Sequence, residues 1–269
     1  MMPVQAMVAP KISIISPCLN GRRYLPRMLS SVQSQTCSDW ELVYIDDGSI
    51  DGSLEYMAQQ AIKDHRIVIY QTPGRKGTAA SRNLGMQMAR GRFIAFLDSD
   101  DWWLTEKLSL QLQCMETHGA AFCCTAYLVC DADENLLRKQ KVFGPVTAQR
   151  HLLKWAVIGC LTVIFDRHAF NDIRFRTKLA GGEDYALWYE MLREVEQRGL
   201  GAVHLDEYLG CYRVHDGGKS RNKRRHAAAH WHIYRHILGF SVMRSAICFI
   251  SYSINALYDR WPRLLKTHS

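Results

Sequence analysis

The stretch "RFIAFLDSDDWW", residues 92–103, decides how this chain is read. Arg92 precedes five apolar residues, Phe93 to Leu97, a continuous run expected of a strand covered on both faces in a parallel sheet. Asp98, Asp100 and Asp101 then put three carboxylates where that strand must surface. Like charges at that spacing repel and raise one another's pKa, so the cluster is costly unless a cation sits among them. The plainer alternative is a solvated turn that caps the next helix.

Working outward, strand-like runs recur at "ISIIS" (12–16), "WELVYID" (40–46) and "RIVIYQ" (66–71). Between them Tyr24–Val32, Leu54–Ile62 and Ala79–Ala89 carry helical spacing. Strands separated by helix-length spacers predict an α/β fold with a mostly parallel central sheet and right-handed crossovers. Ligands of such sheets bind beyond the carboxyl ends of the strands, so Asp46 and Asp47 should line one cleft with Asp98 and Asp100. Downstream, "AAFCCTAYLVCD" (120–131) and "GCLTVIFD" (159–166) read as strands, and "EDYALWYEMLREVEQRG" (183–199) as a helix ending at Gly199.

The composition is that of a globular protein: 269 residues, 48% hydrophobic and 22% charged. Its net charge of +8 is unevenly placed, because residues 217–269 hold ten Lys or Arg against the single acid Asp259. Basicity therefore belongs to the tail, and the upstream chain is close to neutral. Nine cysteines without a CxxC pair suit neither a disulfide framework nor a zinc ribbon, and read as small core residues of a reducing compartment. "MMPVQAMVAPK" offers no basic and apolar leader, so the expected location is cytoplasmic. In the tail, "AAAHWHIYRHILGF" and "VMRSAICFISYSINALYDRW" are compatible with helices, yet Arg244 interrupts the one long apolar stretch. A basic tail of residues 220–269 bearing Trp, Tyr and Phe suits the membrane interface, lying on rather than through it; a helical pair packed on the domain is the alternative.

Besides the acidic end of 92–103, two stretches carry chemistry. "YIDDGSIDGS" (44–53) ends a strand with two carboxylates, a Gly and capping hydroxyls, and one such carboxylate can accept the imide N–H of uracil. "RKGTAASRNLGMQMARG" (75–91) opens a helix near Gly77 and carries Arg82 in its early turns, an anion-binding arrangement. No Walker P-loop and no GxGxxG motif follows a strand, which argues against nucleotide hydrolysis and dinucleotide binding. The pairs His226/His230 and His232/His236 lack a further ligand type and read as polar helix faces, whereas Trp102, Trp103 and Trp188 read as core.

Taken in order, "IISPCLNGRRYLPRMLSSVQSQTCSDWELVYIDDGSIDGS", "GTAASRNLG", "FLDSDD" and "GGEDYALW" resemble the motifs of family 2 inverting glycosyltransferases of the GT-A fold, over roughly residues 11–220. The resemblance implies a catalytic domain over 11–219 with a Rossmann-like nucleotide-binding half and an acceptor half, followed by C-terminal amphipathic helices. It implies that Pro17, Asp46 and Asp47 hold uracil and ribose, that Arg82 reaches the base or its phosphates, and that Asp98-Ser99-Asp100 is a DxD motif. There Asp100 would coordinate Mn²⁺ or Mg²⁺ bridging a diphosphate, with Asp98 and Ser99 supporting the ribose or the ion. In the acidic pair Glu183-Asp184, Asp184 would be the catalytic base, with Glu183 positioning the acceptor or supporting Asp184. Because neighbours on an extended segment face opposite ways, only one of the two is expected to address the acceptor.

In "YRVHDGGKS" (212–220), Arg213, His215 and Ser220 match positions that approach the diphosphate or metal, with His215 a possible ligand. "QTPGRKG" lacks the asparagine often present before Gly77 in the family it resembles, which leaves one implied nucleotide contact open.

The implied activity is transfer of one hexose or N-acetylhexosamine from a UDP-sugar to an acceptor hydroxyl, with a polyprenyl-diphosphate-linked glycan at the inner face of the cell membrane as the expected acceptor. A protein or teichoic-acid acceptor is the alternative within that class. A basic nucleic-acid-binding protein is the alternative outside it, and the near-neutral body with its acid-lined cleft argues against nucleic acid. Oligomeric state is left open.

Overall fold

The computed structural model describes residues 9–142, 144–153, 158–179, 181–215 and 223–258. The first four apolar runs become β1 (Ile12–Cys18), β2 (Trp40–Asp46), β3 (Ile67–Gln71) and β4 (Phe93–Phe96), paired in parallel in the spatial order β3-β2-β1-β4. The spacers are α1 (Leu25–Gln33), α2 (Ser53–Lys63) and α3 (Thr78–Met88). Period-2 alternation sends strand side chains to two cores. Ile12, Ile14, Phe93 and Ala95 pack with α1, whereas Ile15, Ile94 and Phe96 pack on the opposite face. At Gly85 of α3 an added methyl would stand 2.4 Å from Ile15 Cγ2, so this helix lies directly on β1 and tolerates no side chain there.

The second half continues the same sheet with β5 (Trp102–Trp103), β6 (Ala120–Cys130), β7 (Leu136–Gln140), β8 (Ile164–Asp166) and β9 (Gly201–Arg213). β8 is antiparallel to both β4 and β6, β6 runs parallel to β9, and β5 and β7 pair antiparallel with β9 and β6. The sheet is therefore mixed: parallel as expected through β4, with antiparallel and parallel pairs beyond it. The helices of this half are α4 (Lys107–His118), α5 (Ala148–Leu152), α6 (Glu183–Gln197), α7 (Lys223–His232) and α8 (Val242–Tyr258), and five π-helical residues, Ile233–Ile237, follow α7 directly.

The run "GCLTVIFD" is not one strand. Cys160–Thr162 form a 3₁₀ turn in which the Thr162 N–H and Oγ1 both donate to Gly159 O, at 3.0 and 2.7 Å, leaving only Ile164–Asp166 in the sheet. Trp102, Trp103 and Trp188 are core, as read, and the cysteines are all free. The polar-face reading fails at His230, which is 5% exposed and lies against the rings of Tyr185 and Tyr252 at 4.6 and 4.3 Å. His232 and His236 do stand at the surface with ring centroids 4.8 Å apart. Ile233, Tyr234, Phe240 and Cys248 join the apolar cluster that contains Trp188, so the inner side of the C-terminal helices packs on the domain. Ser220 and the expected boundary at 219/220 lie outside the described residues.

Candidate active site

With β2 and β4 flanking β1, the acidic ends of both strands open on either side of the carboxyl end of β1. The Asp47 N–H donates to Cys18 O at 2.8 Å, holding the two ends together, and Pro17 is buried in β1 in register with Ile45. Asp46 Oδ2 accepts from the N–H groups of Gly48 and Ser49 at 3.1 and 3.0 Å, a turn that Gly48 completes at φ +86°. Asp46 Oδ1 is buried and finds no hydrogen-bond partner among the described residues. Asp47 is fully engaged: it accepts from Thr72 Oγ1 at 2.6 Å and from the N–H groups of Lys76 and Gly77, each at 2.8 Å. It thereby ties the 72–77 loop and the start of α3 to β2.

Asp98, Asp100 and Asp101 each bring a carboxylate oxygen within 4.8 Å of the others. Arg82, 4% exposed, reaches them from α3: its Nη2 lies 2.7 and 2.8 Å from the two oxygens of Asp98. Its Nη1 lies 3.6 Å from Glu183 Oε1, and its guanidinium lies over the ring of Phe175 at 5.3 Å. Burial opposes the Arg82 charge, but Asp98 above all, with Glu183 and Asp184 adding to it, keeps the side chain protonated.

His215 Nε2 is 2.9 Å from Asp100 Oδ2, and its ring lies 4.9 Å from that of Tyr24. Burial raises the Asp100 pKa and the Asp98 charge adds to this, while His215 opposes both. Asp101 is pushed well up by burial and then by Asp100 and Asp98, although its Oδ1 accepts the Arg213 N–H at 2.8 Å. The Arg213 side chain turns into the framework: Nε donates to Asp100 O, Nη1 to Ala132 O and Nη2 to Glu134 Oε1, at 2.9, 2.8 and 3.0 Å. Ser99 Oγ sits 2.9 Å from where a Cβ on Gly21 would stand, at the mouth of the β1 loop.

Glu183 and Asp184 form the first turn of α6, not an extended segment, so successive side chains diverge by about 100° rather than 180°. Gly182 precedes them at φ +72°, a conformation few other residues adopt. Glu183 faces Arg82, and Asp184 Oδ1 accepts the Tyr185 N–H at 2.8 Å. The helix is anchored by Trp188, whose ring meets those of Phe96, Phe122 and Phe175 at 5.9, 5.8 and 6.0 Å. Phe96 stands two residues before Asp98, so one aromatic contact fixes the acidic pair relative to the acidic loop.

Residues 13–174 match the description "Glycosyl transferase family 2". The chain belongs to that family. Among its relatives, TuaG of Bacillus subtilis (strain 168), provisionally named a teichuronic acid biosynthesis glycosyltransferase, is 34% identical, covering 93% of this chain and 98% of the relative. WfaP of Escherichia coli, named a UDP-Glc:alpha-D-GlcNAc-diphosphoundecaprenol beta-1,3-glucosyltransferase, is also 34% identical, covering 91% and 94%. Among solved structures, S. aureus TarS 1-349 in complex with UDP-GlcNAc superposes with a TM-score of 0.69 at 20% identity, covering 87% of this chain and 69% of that one. The family 2 chain is thus a glycosyltransferase with a GT-A fold.

The acidic loop of this glycosyltransferase fits a divalent ion. Three carboxylates share a small volume, two of them with pKa values raised by burial and mutual repulsion, a strain that a cation relieves. Oxygen donors suit Mg²⁺ or Mn²⁺, and His215 adds one nitrogen beside Asp100. The sequence reading did not foresee Tyr24, Glu134 or the anchoring role of Arg213. Glu134 sits at φ +68° in the turn between β6 and β7, far along the chain from every motif it supports. Only the acid-rich turn "DADEN" (131–135) hinted at a feature there.

Proposed function

We propose that this glycosyltransferase moves a single hexose or N-acetylhexosamine from a UDP-sugar to an acceptor hydroxyl on a polyprenyl-diphosphate-linked glycan, with inversion, in assembly of a bacterial surface polysaccharide at the inner face of the cell membrane. One observation carries the reading: a single buried guanidinium, Arg82, joins the acidic loop to the acidic start of α6. A donor's diphosphate and an acceptor's hydroxyl then meet across one side chain. The name of WfaP, with its UDP-glucose donor and diphosphoundecaprenol-linked acceptor, and the UDP-GlcNAc complex of TarS support the choice of substrates.

In this mechanism Asp46, with one oxygen free, and Pro17 face the base, while Asp98 and Asp100 would hold the divalent ion with His215 beside them. That ion, Mn²⁺ or Mg²⁺, would offset charge growing on the departing UDP. Arg82 holds Asp98 in place and supplies a fixed positive charge next to the same oxygens. Asp184 takes the proton of the acceptor hydroxyl as its oxygen attacks the anomeric carbon from the side opposite UDP. Glu183, held by Arg82, orients the acceptor.

The test is a panel of UDP- and GDP-sugars screened by thermal shift with and without Mn²⁺, followed by transfer assays on polyprenyl-diphosphate-sugar, teichuronic-type polymer and protein acceptors. A shift confined to UDP-sugars with Mn²⁺, and product only on the lipid-linked acceptor, is the expected result. Indifference to every nucleotide sugar would sink the proposal.

A further inference from the structure

Helix α8 is apolar on the wrong side for a helix facing water. Met243, Ile247, Ile250 and Ile254 are 76%, 55%, 58% and 52% exposed. Their steps of four, three and four residues keep them within about 60° of arc at ~100° per residue, a stripe some 16 Å long. The opposite side is the packed one: Ser245 and Cys248 are buried there, and Phe249 and Tyr252 partly so. A solvated surface helix reverses this pattern, with polar residues outward. Beside the stripe, the half-exposed ring of Trp231 on α7 meets Phe249 at 5.8 Å. Arg244 is exposed one residue from the stripe and lies over Phe240 at 4.0 Å.

Charge selects the occupant. Residues 217–269 carry ten Lys or Arg against one acid, so a second copy docking on this face by two-fold symmetry would bring two such surpluses together. An anionic lipid surface instead complements them, and no helix among the described residues is long and apolar enough to cross a membrane. We infer that α8 lies flat on an anionic membrane surface, inserting Met243, Ile247, Ile250 and Ile254, with Trp231 at the interface and Arg244 meeting lipid headgroups. The reading of a lipid-linked acceptor gives this contact its purpose, but the contact is tested without turnover.

The experiment is cosedimentation of the full chain with vesicles of phosphatidylcholine alone or with phosphatidylglycerol added. Expected is binding to the anionic vesicles that 0.5 M salt weakens at least about tenfold, little binding to the neutral ones, and a comparable loss in the variant Met243→Ser/Ile247→Ser/Ile250→Ser/Ile254→Ser. UDP-induced thermal shift in that variant should match the parent, which separates loss of membrane contact from loss of the donor site. If the fourfold variant unfolds, Ile247→Ser and Ile250→Ser singly, together with the salt series on the parent, carry the test. Equal binding by parent and variants, absence of binding to anionic vesicles, or a concentration-dependent dimer in lipid-free buffer that the same changes abolish, would each overturn the inference.

Discussion

Arg82 Nη2 sits between the two oxygens of Asp98 at 2.7 and 2.8 Å, while the other terminal nitrogen of the same guanidinium lies 3.6 Å from Glu183. The pair is nearly dry on the arginine side, and removal of the cation leaves two carboxylates facing one another. Arg82→Met is expected to lower kcat/KM by about 10²–10³, the scale of a lost electrostatic stabiliser. UDP release assays with Mn²⁺ measure it, and a circular-dichroism melt confirms that the variant is folded. Wild-type kinetics in a folded variant would remove Arg82 from the mechanism.

Asp100 is half of a close pair with His215 and stands within the acidic cluster. Asp100→Ala should weaken Mn²⁺-dependent UDP binding at least about tenfold, as loss of a hard oxygen ligand requires, and leave metal-free UDP binding unchanged. Isothermal titration with and without Mn²⁺ reads both. Equal affinities for parent and variant in Mn²⁺ count against a metal role.

Asp184 and Glu183 separate by kinetics. Asp184→Asn keeps the shape and is expected to retain donor affinity while turnover falls by about 10²–10⁴, the range for a missing general base. Glu183→Gln disturbs the Arg82 contact and should raise the acceptor KM more than it lowers kcat. Initial rates against varied acceptor settle the comparison, and near-normal turnover in Asp184→Asn retires that residue as base.

Arg213 anchors the loop without pointing at its opening. Three side-chain donors reach Asp100 O, Ala132 O and Glu134, and the guanidinium lies over Trp102 at 4.5 Å. Arg213→Met removes three hydrogen bonds made by a buried guanidinium and should destabilise the fold by about 1–3 kcal/mol. Urea unfolding provides the measurement, and an unchanged midpoint would show that the anchor is dispensable.

Lys107 supplies a pH signature. Its Nζ is buried, meets no hydrogen-bond acceptor among the described residues and lies 3.8 Å from the centre of the Trp103 ring; burial lowers its pKa to about 7. The unfolded chain keeps this proton up to about pH 10.4, so between pH 7 and that value the unfolded state binds more protons and stability rises with pH. Below pH 7 both states are protonated and the full penalty remains. Lys107→Met should therefore stabilise the protein at pH 6 by about 1–4 kcal/mol and flatten that rise. Unfolding curves at pH 6, 8 and 9.5 test the sign; parallel pH dependences in parent and variant would refute it.

The parallel half of the sheet was legible because Ile12, Trp40, Ile67 and Phe93 each open a short apolar run, and the helix-length spacers admit one handedness of crossover. The carboxylates of the cleft were legible for the same reason, since a strand buried on both faces must release its polar residues at its end. The antiparallel half was less so. β5 has two residues and β9 is broken by register shifts, which erase the alternation that marks a strand.

What the amino-acid order determines here is local: which runs are buried, where the charged ends fall, and which residue types stand ready for a diphosphate and a cation. What the tertiary structure decides is which of those residues face one another. The meeting of Arg82 with two acids, the burial of His230 and the outward apolar stripe of α8 all depend on contacts between segments far apart in the chain. Periodicity reports whether a side chain has an inside and an outside; only packing against a distant partner says which is which.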